Sequence, residues 1–153
     1  MSVAPAITRL IIEEELEALA LLATTYGWEI GQDLDNLTVS VKLCSSRDGE
    51  PYLLDVACHD YRALPPIFEF IDPETGERGT KRAYPDDSGN FFHSHPCICV
   101  QWNRKAYADL GGPHRDWQMS SWIVARPGTT TLGDMLAVVQ RLINSERYRG
   151  RMA

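Results

Sequence analysis

The sequence predicts an α+β domain in which helices pack on one side of an antiparallel sheet. Three patterns carry this prediction: a helical apolar stripe over residues 5–26, alternation of apolar and polar residues over 37–43, and a second helical stripe over 130–144. The chain has 153 residues, of which 44% are hydrophobic, so it is long enough to bury one core. We therefore expect a single domain that spans residues 1–153.

The first helix is predicted over residues 5–26. Pro5 suits its first turn, where a backbone N–H would have no helical partner. Gly27 is placed to end the helix, because glycine readily adopts the left-handed conformation found at helix ends. Apolar residues recur at steps of three and four and so share one face: Ile12, Leu16, Leu19, Ala23 and Tyr26.

Strands are predicted next, over residues 37–43, 52–58 and 67–71, and a fourth apolar stretch covers 91–101. Together they predict a four-stranded antiparallel meander. The pair Pro65-Pro66 predicts a rigid extended connection into the third strand, since proline donates no backbone hydrogen bond.

The remaining segments are assigned by composition. Residues 72–90 are rich in turn formers and predict a long loop, and 103–128 predict an irregular segment anchored in the core by Trp117 and Trp122. The last helix is predicted over 130–144, with a threonine as its N-terminal cap.

Charge and hydropathy exclude some classes of function. The net charge of −6 argues against nucleic acid as the main partner, because phosphate binding needs a clustered positive field. No apolar run approaches the roughly 20 residues that span a bilayer, and we expect a cytoplasmic protein with reduced cysteines. Of these, Cys44 directly follows the strand predicted over 37–43 and Cys58 ends the one over 52–58, and we expect both to pack in the core as strand residues.

Several segments, in this order, resemble ubiquitin-conjugating (E2) enzymes. Those enzymes have an apolar strand, an Asp-Tyr pair, two prolines before the next strand, a His-Pro pair, an Ile-Cys-Leu-like triplet with the nucleophile, and a tryptophan before a Thr- or Ser-initiated helix. The matching residues here are 52–56, 60–70, 95–96, 98–100, Trp117 and 131–136. The resemblance covers about residues 5–145 and is greatest to divergent bacterial E2-like proteins.

The resemblance implies a UBC-like fold and an enzyme that accepts a ubiquitin-like modifier from an E1-like activating enzyme as a cysteine thioester. The modifier would then pass to an amine of a target protein. No cofactor is expected, because ATP enters upstream at the activating enzyme. The first helix is the expected E1-facing surface.

Cys99, in the Ile-Cys-Val triplet, is the predicted nucleophile, and Cys97 is the alternative. Thioester exchange needs a sulfur that both attacks and leaves well. His95 is a candidate to lower the pKa of the cysteine or to hold the loop. Cys97 stands where E2 enzymes have an asparagine after His-Pro, so Asn103 and Asn90 are candidates for the role of that asparagine.

The resemblance also implies substrate-binding residues. Gln101, Trp102 and Asn103 are expected to line the groove beside the cysteine. Asp109 and Asp116 are candidates to position the incoming amine, as acidic residues in E2 loops do.

Two other classes of function stay open. A non-catalytic module that only binds a ubiquitin-like protein, as an inactive E2 variant does, needs no reactive cysteine. Residues 93–96, His-Ser-His-Pro, also resemble part of the zinc site of JAMM-type peptidases, although the Ser-x-x-Asp that supplies the third ligand is missing. A zinc site made only of His93, His95, Cys97 and Cys99 would need a compact turn, because alternate residues of a strand lie too far apart.

Overall fold

The computed structural model describes residues 2–110 and 117–153 and confirms the α+β layout. An N-terminal helix precedes a four-stranded antiparallel sheet, a short hairpin and further helices. The helices are α1 (Pro5–Tyr26), α2 (Arg104–Asp109), α3 (Trp122–Ala125) and α4 (Leu132–Ile143), and the strands are β1 (Glu29–Asp33), β2 (Thr38–Cys44), β3 (Pro51–Ala57), β4 (Ile67–Ile71), β5 (Phe92–His93) and β6 (Cys97–Ile98). Two 3₁₀ turns, Lys81–Ala83 and Met119–Ser121, lie in the connections.

Helix α1 has the predicted bounds. Pro5 stands in its first turn, and Gly27 ends it with a left-handed φ of 75°. Its inner face buries Ile12 and Leu19 completely. The side chain of Glu15 on α1 accepts hydrogen bonds from the backbone N–H of Leu132 (2.7 Å) and from the hydroxyl of Tyr61 (2.8 Å). These bonds join the first helix to the start of the last one.

The sheet has four strands in the order β1-β2-β3-β4, each antiparallel to its neighbour. Three of them are the predicted strands. The fourth is β1 and not the stretch 91–101, so the predicted membership of the sheet was wrong at that position. Strand β1 is short, polar and at the edge, and it lacks the alternation that marks a half-buried strand. The stretch 91–101 folds back on itself around Pro96 as the hairpin β5–β6.

The core lies between the inner face of the sheet and helices α1 and α4. Val41, Leu54 and Phe70 are paired across β2, β3 and β4, and all three are fully buried. Helix α4 begins with a capping box, in which Thr131 and Asp134 each bond the backbone of the other. The cap therefore comes from the predicted run of threonines.

Two expectations about individual side chains have clear outcomes. Trp122 is buried, as predicted, and Trp117 is half-buried. Cys44 is exposed, so its predicted place in the core was wrong, whereas Cys58 is buried as expected. Cys44 ends β2 on the outer face, one residue beyond buried Leu43, because successive strand residues face opposite sides.

Within residues 2–110 and 117–153, no helix has both the length and the apolar character to cross a bilayer. Helix α1 has 22 residues, but it carries four glutamates and Arg9.

Candidate functional site

The β5–β6 hairpin brings the candidate cysteines into the fold. Phe92 pairs with Ile98 and His93 with Cys97, and the backbone N–H of Cys99 donates to the carbonyl of Phe91 at 2.8 Å. Cys99 therefore lies at the open end of the hairpin. The turn over residues 94–96 lies at the other end.

A buried carboxylate fixes the entry to this hairpin. Asp87 is 5% exposed, and its oxygens accept backbone hydrogen bonds from Asn90 (3.0 Å), Phe91 (2.8 Å) and Phe92 (3.2 Å). Because folding withdraws this charge from water, its stability depends on these three donors. The short strand β5 thus starts from a position fixed by hydrogen bonds as well as by packing.

His95, a predicted catalytic residue, is in the turn and is exposed. Its backbone N–H donates to Nδ1 of His93 at 3.0 Å, which closes the turn. The strand pairing places His95 at the far end of the hairpin from Cys99. The structure therefore does not bring His95 beside the predicted nucleophile.

Cys97 is sealed inside the protein. Its side chain has no exposed surface, and burial raises the pKa of its thiol to about 12. A thiol in this environment is neutral and out of reach of a macromolecular substrate. Its placement therefore fits the alternative of a small core residue.

Asn103, another predicted catalytic residue, is fully buried and fully occupied by the fold. Its Oδ1 accepts from the backbone N–H groups of Phe68 (2.9 Å) and Lys105 (3.2 Å), and its Nδ2 donates to the carbonyl of Ile98 at 2.9 Å. One amide thus joins β4, β6 and the first turn of α2. Asn103 does not line the groove beside Cys99, which corrects its expected location.

Cys99 differs from Cys97, because it is partly exposed and lines a groove of about 540 Å³. That volume lies within the range of about 300–1,000 Å³ that is typical of binding sites. Partial burial raises the pKa of the Cys99 thiol above its ordinary value. The groove is lined by Asp87, Asn90, Phe91, Cys99, Val100, Trp102, Trp117, Arg126, Thr129, Val138, Leu142 and Arg147.

Aromatic rings form much of the wall near Cys99. Trp102 is 2% exposed and packs edge-on against Phe68, with ring centroids 5.0 Å apart. Its ring is tilted against that of Phe91, with centroids 5.9 Å apart. Trp117 lies 5.8 Å from the ring of Tyr107. The predicted place of Trp102 beside the groove therefore agrees with the structure, although most of the ring serves the core.

Gln101 does not line the groove, but it contacts Arg126, which does. Its side-chain Oε1 accepts from Nε of Arg126 at 3.2 Å, and its backbone carbonyl accepts from the hydroxyl of Tyr107 at 2.9 Å. Arg126 lines the groove and Gln101 does not. Gln101 therefore orients an arginine of the site and does not itself face the space beside Cys99.

Asp109, one of the two acidic candidates, is not among the residues that line the groove. Asp109 forms an ion pair with Lys105 at 2.9 Å, one turn earlier on α2, and Lys105 also pairs with Glu69 at 3.2 Å. Asp116 lies outside the described residues. Asp109 is therefore occupied in an ion-pair network on the surface of α2 and β4.

Among residues 2–110 and 117–153, no three His, Cys, Asp or Glu side chains are grouped so that they could hold a metal ion. The two histidines and two cysteines of the hairpin are divided between its turn, the interior and the groove.

Sequence reasoning missed several residues of the groove. Arg126 and Arg147 come from an irregular segment and from the tail, far from Cys99 in sequence. Val138 and Leu142 lie on the predicted last helix, 130–144, for which no site residue was predicted. No local motif marks these four, because only the tertiary fold brings α4 beside the hairpin.

The fold and groove define an α+β protein with one thiol placed in a pocket of aromatic and basic residues. No protein-family model matches the chain, and no curated protein matches it.

Proposed function

We propose that this protein is an E2-like transferase that carries the acyl end of a ubiquitin-like modifier on Cys99. The observation that carries the proposal is the contrast between the sulfurs: Cys99 opens into a groove, whereas Cys97, two residues earlier, is sealed. The order of N-terminal helix, antiparallel sheet, short hairpin, short helices α2 and α3 and C-terminal helix supports the same conclusion.

The proposed reaction has two steps: thioester exchange onto Cys99, and transfer of the acyl group from Cys99 to an amine. The thiolate of Cys99 attacks the carbonyl carbon of the donor thioester, a new C–S bond forms, and the donor thiolate leaves. An amine of the target then attacks the same carbon, the C–N bond forms, and the Cys99 sulfur leaves and recovers a proton from the amine.

The raised pKa of Cys99 affects both steps. A thiol with a higher pKa is a stronger nucleophile once ionised, but a smaller fraction of it is ionised at neutral pH, and its thiolate leaves less readily. Loading of Cys99 therefore proceeds through a small thiolate fraction, and the transfer step requires a reactive amine. The aromatic side of the groove, with Phe91 and Trp102, limits the access of water to the ester.

We place the E1-like activating enzyme on the outer face of α1. Ile7, Leu10 and Leu21 are 54%, 66% and 74% exposed and recur on one side of the helix. Large apolar side chains exposed together are typical of interaction surfaces. The modifier and the target protein would approach from the groove side, at Cys99.

Acyl transfer to Cys99 can be tested without knowing the modifier. The protein is incubated with a peptide benzyl thioester that ends in two glycines, which minimise crowding at the acyl carbon. Intact-mass spectrometry then measures the adduct. We expect one acyl group that hydroxylamine removes, maps to Cys99 and passes to an added amine.

Matched variants separate the proposal from its alternatives. Cys97→Ser retains the adduct, whereas Cys99→Ser gives no thioester and at most a slowly formed, hydroxylamine-stable ester. Cys44→Ser controls for the other exposed thiol. A wild-type protein that takes up no acyl group at Cys99, or a Cys99→Ser variant acylated as fast as wild type, would overturn the transferase proposal and favour a non-catalytic binding module.

A further inference from the structure

Two arginines stand in the groove that contains Cys99. Arg126 follows α3, Arg147 follows α4, and both are exposed. They come from separate segments, so their common position is a product of the fold. The surrounding protein is acidic overall, with 21 Asp and Glu against 15 Lys and Arg. The groove thus differs in charge from the protein as a whole.

Neither guanidinium is neutralised by a carboxylate of the described chain. Among residues 2–110 and 117–153, Arg126 and Arg147 form no ion pair. Arg126 donates through Nε to the neutral amide of Gln101 at 3.2 Å, which directs its side chain without cancelling its charge. The positive charges therefore remain available to a ligand.

The carboxylate in the groove lining is already committed. Asp87 accepts three backbone hydrogen bonds, from Asn90, Phe91 and Phe92, and is 5% exposed. A carboxylate in that state is poorly placed to attract a cation from solvent, because it is almost fully buried and three of its roughly four acceptor sites are occupied. The accessible charge in the groove is therefore positive.

We infer that the groove beside Cys99 selects acyl donors whose C-terminal segment carries carboxylate side chains, which Arg126 and Arg147 bind. This inference rests on the proposed function, because it concerns the donor of the acyl group. Guanidinium groups bind carboxylates through paired N–H donors, and they do so more specifically than an ammonium group does. Asn90 and Thr129, also in the lining, supply polar groups for the backbone of such a segment.

The test compares three peptide benzyl thioesters with the same uncharged leaving group. Their sequences are acetyl-Asp-Ala-Asp-Gly-Gly, the Asn counterpart and the Lys counterpart. Initial rates of acylation of Cys99 are measured by intact mass at low and at high ionic strength. We expect the Asp peptide to react about fivefold faster than the Asn peptide at low salt, since each exposed ion pair contributes about a two- to threefold effect.

The selectivity should fall when salt screens the groove, and the Lys peptide should be slowest. The double variant Arg126→Glu/Arg147→Glu is expected to reverse the ratio of Asp to Lys rates. The matched control Arg47→Glu/Arg149→Glu changes the net charge by the same amount at exposed arginines outside the groove lining, and it should keep the wild-type preference.

The outcomes distinguish the two proposals. Equal rates for the three peptides, or a preference that the groove variant leaves unchanged, would refute the acidic-donor inference while acylation of Cys99 still supports the transferase. A preference lost equally in the control variant would assign it to net charge and would also refute the inference. Absence of acylation with every peptide would overturn both.

Discussion

Cys97 and Cys99 stand two residues apart in the chain, yet the two sides of their hairpin have opposite physical character. On the Cys97 side, the hydrogen bonds of Asn103 bind β4, β6 and α2 together, and the sulfur has no exposed surface. On the Cys99 side, a groove of about 540 Å³ remains with exposed arginines. An interior joined by such hydrogen bonds can therefore hold a thiol at the edge of an open space.

The first prediction concerns the buried hydrogen bonds of Asn103 and has the largest expected effect on stability. Asn103→Ala should lower the free energy of unfolding by about 3 kcal/mol, because the buried N–H of Phe68 and the carbonyl of Ile98 lose their partner and each unsatisfied group costs about 1–3 kcal/mol. Urea denaturation measures the change.

Asn90→Ala is the matched control for Asn103→Ala. Asn90 is exposed in the groove, and we expect a change within about 0.5 kcal/mol. Equal losses of unfolding free energy in the two variants would contradict the distinction between the hydrogen-bonded interior around Cys97 and the open groove at Cys99.

The second prediction compares the loss of stability when Cys97 or Cys99 is replaced by serine. Cys97→Ser replaces a fully buried thiol, which lies 3.7 Å from the carbonyl of Ile98 and 4.0 Å from Nδ2 of Asn103, by a smaller and more polar hydroxyl. These separations are too long for a hydroxyl hydrogen bond, so the variant should lose about 2 kcal/mol of stability, since burial of a hydroxyl without a hydrogen bond costs about 1–3 kcal/mol. Cys99→Ser should change stability by less than about 0.5 kcal/mol, because water reaches that position. Thermal and urea unfolding of both variants measure this, and a larger loss for Cys99→Ser would reverse the comparison.

The third prediction uses alkaline pH. The pKa of Cys97 is raised from 9.0 to about 12 in the folded protein. The folded state thus keeps a proton that the unfolded state loses. The contribution of neutral Cys97 to stability is complete below pH 9.0 and is lost as the pH rises toward 12.

Urea titrations at several pH values between about 8 and 10.5 measure whether the free energy of unfolding falls as the pH rises. Cys97→Ala should make the decline in stability with pH shallower than in wild type, whereas Cys99→Ala should alter the slope less. Identical slopes for wild type and Cys97→Ala would show that Cys97 does not stay protonated through its burial.

The fourth prediction is the smallest and concerns the reactivity of Cys99. Because partial burial raises its pKa, the rate of alkylation by iodoacetamide at Cys99 should keep rising at pH values where unfolded cysteine has levelled off. Peptide-resolved mass spectrometry gives the rate at each cysteine. Cys97 should react far more slowly at every pH. A profile at Cys99 that coincides with that of the urea-unfolded protein would contradict the raised pKa.

Local patterns determined much of the fold. The apolar stripe and Gly27 determined α1, alternation determined β2, and a threonine cap with a helical stripe determined α4. These signals depend on residues that are neighbours in sequence, so their periodicity can be read directly. Strand β1 was not predicted, because an edge strand with a single half-buried apolar residue shows no alternation of apolar and polar residues.

From the sequence, residues 97–99 stand out as candidates, because two cysteines follow a His-Pro pair and cysteine is the residue that forms thioesters. The packing of distant segments settles three further points: Cys99 and not Cys97 opens to solvent, Asn103 is occupied by backbone hydrogen bonds, and Arg126 and Arg147 share a groove with Cys99. Exposure and charge at a site depend on how distant segments pack. That packing is set by the summed burial of many side chains, and no local spacing encodes it.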